Sequence, residues 1–193
     1  MIDENRYKAA FIDRDGVINI DKGYTYKVED LSIYDDVYYG LKQIQRQGFK
    51  LFIVTNQSGI ARGFYTINQF KFFMDFLLKN LANNGVYIHD YFFCPHHSDG
   101  VIKEFSIKCN CRKPNPGLIN QAFDKYNIDL NSSILIGDKN SDIEAGLKAN
   151  IGLNIKINRN KENQAHIKAS HYNVTNIIEA AELIKKYFKS HAK

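Results

Sequence analysis

Residues 9–16 read AAFIDRDG. Four apolar residues stop at a charged turn that contains a glycine, the pattern of a buried strand running into a loop. The pattern recurs downstream. FKLFIVTN (49–56) is a second apolar run entering a polar, glycine-containing loop; YFFC (91–94) reads as a third strand, and SILIGDKNSD (133–142) and IGLNIKI (151–157) add two more. Helical spacing fills the gaps. Val37, Leu41 and Ile44 recur between Asp36 and Gln47, and Gly48 closes that helix. Thr66-Ile-Asn-Gln69 fits a capping box, opening a helix with Phe70, Phe73, Leu77 and Leu81 on one face and Asn83-Asn84-Gly85 at its end. Pro116–Tyr126, Ile143–Ala149 and Val174–Phe188 are expected as three further helices. Strands alternating with helices predict an α/β chain, a Rossmann-like three-layer sandwich around a mainly parallel central sheet. Ligands of such sheets bind beyond the carboxyl ends of the strands. DRD, TNQSG and GDK all stand at such ends, and RKP (112–114) follows a cysteine-bearing stretch.

Length and composition set the frame. The 193 residues suit one domain, 1–193, with a core of ordinary size. With 44% apolar and 24% charged residues and only three prolines, the composition is globular rather than disordered. No apolar run approaches the roughly 20 residues that cross a bilayer. The first residues, MIDENRYKAAFIDRDG, lack the basic, apolar and small-residue succession of a secretory leader, so a cytoplasmic protein with reduced thiols is expected. The net charge of +5 suits an anionic partner without identifying one, since phosphometabolites, nucleic acid and a solvated lysine-rich surface all fit. Much of the excess lies at the ends, as in KKYFKSHAK, and no concentrated basic patch is visible.

Chemistry collects at the strand ends. Asp13 and Asp15 are two apart after the first strand, and alternation can aim both the same way. Two close carboxylates repel unless a cation lies between them or one is protonated. Asp138 adds a third at an equivalent end. Such oxygen donors beside open positions suit Mg²⁺. Thr55 ends the second strand with a hydroxyl able to hold a phosphate oxygen, and Lys113 supplies the cation a phosphoryl site needs. Any one of these residues alone reads equally well as a turn, a cap or a solvated side chain. The three carboxylates together, with a basic residue to match, do not.

All three cysteines lie in CPHHSDGVIKEFSIKCNCRKP (94–114). Cys94-Pro-His96 and Cys109-Asn-Cys111 are two close pairs separated by a loop, a Cys₃His set that Zn²⁺ binds tetrahedrally, with His97 as an alternative to His96. A disulfide would leave an odd thiol in a reducing compartment. Four protein ligands close the coordination sphere, so the expected zinc is structural, in a loop spanning 94–111. His89, His166 and His171 show no pairing and are expected to be packing or surface residues.

DRDG, the threonine of IVTN, the lysine of RKP and IGDKNSD resemble, in order, the four motifs of the haloacid dehalogenase (HAD) superfamily of phosphatases. The resemblance implies a HAD fold with Asp13 as nucleophile, passing through an aspartyl phosphate, and Asp15 as acid and then base. It also implies Thr55 and Lys113 on the phosphoryl group, with Mg²⁺ held by Asp13, Asp138 and the backbone carbonyl of Asp15. Asp142 is left to orient its neighbours. The gaps between motifs hold no large cap, so a minimal cap and an open site follow.

The zinc loop before RKP, together with DRDGVIN, resembles the group containing heptose bisphosphate and histidinol phosphate phosphatases, and favours His96 as the zinc ligand. TNQSGIARG sides with the heptose enzymes; Val17 stands where a threonine is frequent. That resemblance implies a small sugar bisphosphate losing its C7 phosphate during nucleotide-activated heptose synthesis. Asp21, Lys22, Gly23, Tyr24, Asn56, Gln57, Ser58, Arg112 and Lys139 would contact it. Arg112 has a case of its own, because a guanidinium fork suits a second, uncleaved phosphate. Arg62 reads equally as a surface residue or a contact. Histidinol phosphate is the alternative substrate, and nucleic-acid end processing a remote one. No membrane or nucleic-acid partner is expected, and the chain is expected to be a monomer.

Overall fold

The computed structural model describes residues 6–159 and 172–190. Along the chain run β1 (Lys8–Ile12), α1 (Val37–Arg46), β2 (Phe49–Asn56), α2 (Ile67–Asn83), β3 (Ile88–Cys94), α3 (Gly117–Lys125), β4 (Ile134–Gly137), α4 (Asn140–Lys148), β5 (Leu153–Ile157), β6 (Tyr172–Val174) and α5 (Ile177–Ser190). The strands form one sheet in the order β3-β2-β1-β4-β5-β6. Every neighbouring pair is parallel. β1 lies inside the sheet, with Ala10 in register with Leu51 on one side and Ile134 on the other.

Alternation along β1 builds the two faces. Ala10 and Ile12 join a core with Leu41 and Ile44 of α1, Phe70 and Leu77 of α2, and Ile177 and Ile184 of α5. Ala9 and Phe11 point the other way, into a core with Leu118 and Ile119 of α3 and Ile143 of α4. The result is the expected three-layer HAD-like sandwich. The capping box at α2 is present, Thr66 accepting from the Gln69 N–H while the Gln69 side chain accepts from the Thr66 N–H.

Three element starts differ from expectation by three residues each, and β5 starts at Leu153 rather than Ile151. Val174 does not open the last helix; it ends β6, a strand too short to display alternation, and α5 starts at Ile177. β3 starts at Ile88, before YFFC, because an edge strand tolerates the polar His89 and Asp90. α4 starts at Asn140, where the Asp142 carboxylate accepts the Lys139 N–H at 2.9 Å. His89 packs between Phe52 and Tyr126, as expected of a packing histidine; His166 and His171 lie outside the described residues.

The carboxyl ends of β1, β2 and β4 are adjacent, so the loops after Ile12, Asn56 and Gly137 open onto one edge. The first is closed by Gly16, at φ +86°, where a Cβ would run into the Asp138 carboxylate. Among the described residues, no helix is long and apolar enough to cross a membrane.

Candidate active site

Lys113 sets the geometry of the edge. Its Nζ lies 2.7 Å from Asp13 Oδ1, 2.6 Å from Asp142 Oδ1 and 2.8 Å from the Val54 carbonyl. All three side chains are buried. Burial alone would lower the lysine, but the charges of Asp13 and Asp142 outweigh it and hold the ammonium above the ordinary lysine range. Asn56 fixes the Lys113 backbone from both sides, its Oδ1 accepting the Lys113 N–H and its Nδ2 donating to the Lys113 carbonyl, each at 3.0 Å.

Carboxylate oxygens of Asp13, Asp138 and Asp142 all lie within 4.8 Å of one another. Asp138 is pushed up to about 7, first by burial and then by the charge of Asp13. Its Oδ1 is buried without a hydrogen-bond partner. Crowded carboxylates with an unpartnered oxygen fit a hard divalent cation such as Mg²⁺. Both Asp142 oxygens are engaged, one by Lys113 and one by the Lys139 N–H, in keeping with an orienting role.

A cavity of about 460 Å³ opens above this cluster. Of the residues expected there, Asp13, Asp15, Asp21, Gly23, Tyr24, Thr55, Asn56, Ser58, Arg112, Lys113 and Lys139 all line it. Three others are placed differently. Asp138 belongs to the carboxylate cluster but is not on the cavity wall. Lys22 is exposed and off the cavity wall, and Gln57 is 1% exposed with its amide spent on internal partners. At the rim, Lys139 Nζ reaches Asp21 at 3.2 Å, and Tyr24 meets Phe64 edge-on with centroids 4.5 Å apart. Sequence reasoning missed Arg14, fully buried inside the DRD motif, and the buried Tyr65. Nothing local distinguishes either from a surface residue.

The zinc expectation fits the donors present. Cys111 Sγ lies 3.0 Å from Cys94 Sγ and 3.3 Å from Cys109 Sγ, with Cys94 and Cys109 3.5 Å apart. His96 Nδ1 is 3.2 Å from Cys111 Sγ and 3.7 Å from Cys94 Sγ. These separations far exceed the S–S bond of about 2.05 Å, and the cysteines are free. Three thiols and one imidazole nitrogen around one point suit tetrahedral Zn²⁺. His97 is engaged elsewhere, its ring nitrogen 3.2 Å from Arg62 Nη2 and its Nδ1 accepting from the Asp99 N–H. The loop is stitched to the strand-end loop beside it. Ala61 donates to the Pro95 carbonyl and accepts from the Val101 and Ile102 N–H groups, and Gln57 N–H donates to the Cys94 carbonyl. Arg112 Nη1 donates to the His96 carbonyl, tying its guanidinium to the Cys₃His donor set.

Comparison with known proteins finds similarity of sequence and of fold. Residues 110–180 match the HAD-hydrolase-like family. A D-glycero-alpha-D-manno-heptose-1,7-bisphosphate 7-phosphatase of Photorhabdus laumondii is 50% identical over 147 residues, 76% of this chain and 80% of its own. A D-glycero-beta-D-manno-heptose-1,7-bisphosphate 7-phosphatase of Yersinia pestis is 43% identical over 153 residues, 79% and 81% of the two chains. Among solved structures, the D,D-heptose 1,7-bisphosphate phosphatase of B. bronchiseptica, complexed with magnesium and phosphate, superposes with a TM-score of 0.80 at 24% identity, over 93% of this chain and 99% of that one. The last likeness is one of fold.

Proposed function

The chain belongs to the family of heptose-1,7-bisphosphate 7-phosphatases among the HAD-like hydrolases, and we propose that it removes the C7 phosphate of D-glycero-D-manno-heptose 1,7-bisphosphate, leaving heptose 1-phosphate for nucleotide activation. The observation that carries this reading is Lys113 held between Asp13 and Asp142 at the foot of the cavity. It supports Asp13 as the nucleophile and Lys113 as the cation beside the phosphoryl group.

In the first step an Asp13 oxygen attacks phosphorus. The bond from phosphorus to the C7 oxygen breaks, and Asp15 gives that oxygen its proton. In the second step Asp15, now a base, takes a proton from water as its oxygen attacks the aspartyl phosphate. Inorganic phosphate leaves and Asp13 is restored. Proton transfer of this kind is worth about 10² to 10⁴ in rate. The Lys113 ammonium offsets charge on the nucleophile and on the transferring group, and the Thr55 hydroxyl holds a phosphoryl oxygen. Mg²⁺, held by Asp13, Asp138 and the Asp15 carbonyl, would offset charge on the transferring group. The guanidinium of Arg112 takes the uncleaved phosphate, with Asp21, Tyr24, Asn56, Ser58 and Lys139 around the sugar. We assign Gln57 to the interior rather than to the substrate.

The three cysteines, gathered as metal donors, support a cytoplasmic location where thiols stay reduced. The test is phosphate release from both anomers of the heptose bisphosphate and from histidinol phosphate. The specificity constant should be highest for one heptose anomer, and a preference for histidinol phosphate would overturn the substrate. Asp13→Asn should abolish turnover with the circular-dichroism spectrum unchanged; retained turnover would refute the nucleophile.

A further inference from the structure

Gln57 has every hydrogen-bonding position of its amide filled inside the protein. Oε1 accepts from Arg14 Nη2 at 3.0 Å and from the Tyr65 hydroxyl at 2.6 Å. Nε2 donates to Asp15 Oδ2 at 3.1 Å and to Thr55 Oγ1 at 2.8 Å. This amide cannot be reversed at low cost. A guanidinium only donates, so the face toward Arg14 must be oxygen; Asp15 Oδ2, already accepting two Arg14 donors, is an acceptor, so the face toward it must be nitrogen. Tyr65 reinforces the choice, because burial pushes its phenol upward and keeps it a donor. Its ring is fixed by stacking on Tyr26 and by the close approach of Gly59, where a Cβ would strike it.

Two consequences reach the cavity. Thr55 Oγ1 is occupied by the Gln57 donor, which leaves its own proton to be offered to whatever the cavity holds. Asp15 is aimed from several sides. Its Oδ2 takes Gln57 together with Arg14 Nε at 3.2 Å and Nη2 at 2.5 Å, and its Oδ1 takes Asn19 Nδ2 at 3.0 Å. Arg14 is itself locked, fully buried, donating to the Thr25 carbonyl and lying over the rings of Phe70 and Phe73. We infer that Gln57 is a positioning residue, its amide oriented by Arg14 and Tyr65 so that it aims Asp15 and turns the Thr55 proton toward the transferring phosphoryl group. With the amide reversed, oxygen would face the Asp15 carboxylate and capture the Thr55 proton.

The inference rests on Asp15 being the acid that protonates the leaving oxygen, and its test separates the two. The specificity constant covers the steps up to leaving-group departure. It is measured for the heptose bisphosphate, whose alkoxide needs a proton, and for p-nitrophenyl phosphate, whose leaving group departs without one. Asp15→Asn should lower the ratio of the two constants, sugar over nitrophenyl, by about 10² or more. Gln57→Leu should lower the same ratio about tenfold, in line with the loss of its hydrogen bond to Asp15, and Tyr65→Phe about threefold, in line with the loss of one neutral hydrogen bond. Thr55 misorientation adds a loss common to both substrates. Should Gln57→Leu fail to fold, Tyr65→Phe, which keeps the ring and its stacking, carries the test. Equal losses on both substrates in Gln57→Leu and Tyr65→Phe, with the Asp15→Asn ratio reduced, would overturn the positioning role. An unchanged ratio in Asp15→Asn would overturn the assignment of Asp15 itself, and the inference with it.

Discussion

Lys113 has three donors, and Asp13, Asp142 and the Val54 carbonyl use all three. Replacing it with methionine keeps the length and removes the charge. Two buried carboxylates would then face each other unpaired, a change that costs about 3 to 5 kcal/mol. Urea unfolding of Lys113→Met in a chelator should show a loss of that order; an unchanged midpoint would contradict the pairing. The polar residues at the ends of the apolar runs, Asp13, Thr55 and Asp138, were legible because a hydrophobic strand announces where it stops. Arg14 was not legible. A fully buried arginine is tolerable only with partners, and here they come from residues 15, 25, 57, 70 and 73, segments that only folding brings together. Gln57 stands in the same loop as Asn56 and Ser58, yet it turns inward while they line the cavity, and sequence position alone does not encode that turn.

Among the elements, the edge strand β3 and the zinc loop make separate predictions. Asp90 of β3 accepts from Lys125 Nζ at 2.8 Å and from the Tyr126 hydroxyl at 2.9 Å, tying the strand to the end of α3. Burial raises its carboxyl, but the bonds from Lys125, Tyr126 and the Tyr91 N–H outweigh burial and leave it below 3.8. A depressed carboxylate stabilises the fold above its unfolded value, and that stabilisation fades as pH falls through the folded value. The urea stability of the wild type should therefore exceed that of Asp90→Asn by a small margin near neutral pH, and the margin should shrink as pH falls through the carboxylate range and below it. A margin that grows on acidification would be the wrong sign.

For the loop, Cys109→Ser should lose zinc and most activity while keeping its helix signal. Structural zinc in finger peptides is worth about 10 to 16 kcal/mol of apparent binding energy, ample to order a loop that otherwise packs few apolar residues. Full activity in a verified zinc-free protein would refute the role. The pairs Cys94/His96 and Cys109/Cys111 were readable because metal ligands cluster in sequence, whereas β6 escaped because three residues carry no period.

Over the whole molecule, the alternation of strands and helices foretold the sheet but not its order. The order β3-β2-β1-β4-β5-β6 places β1 beside both β2 and β4, and it is this adjacency that gathers Asp13, Thr55 and Asp138. Adjacency is a property of crossover connections rather than of any local pattern. Among the described residues, the segments between the site loops hold one α-helix before β2 and one between β2 and β3. We propose that the chain is a monomer; sedimentation across a range of concentrations tests this, and a concentration-dependent dimer would overturn it.

The cavity floor and its rim have separate foundations. The floor stands on β1, β2 and β4, inside the sheet. The rim is the segment from Asp21 to Tyr24, moored by an exposed ion pair to Lys139 on one side and by an exposed aromatic pair with Phe64 on the other. Substitutions in the rim should therefore alter what the cavity admits without disturbing the cores that fold the protein. The doorway and the machinery behind it are separable parts, so one can be remodelled while the other is left as it stands.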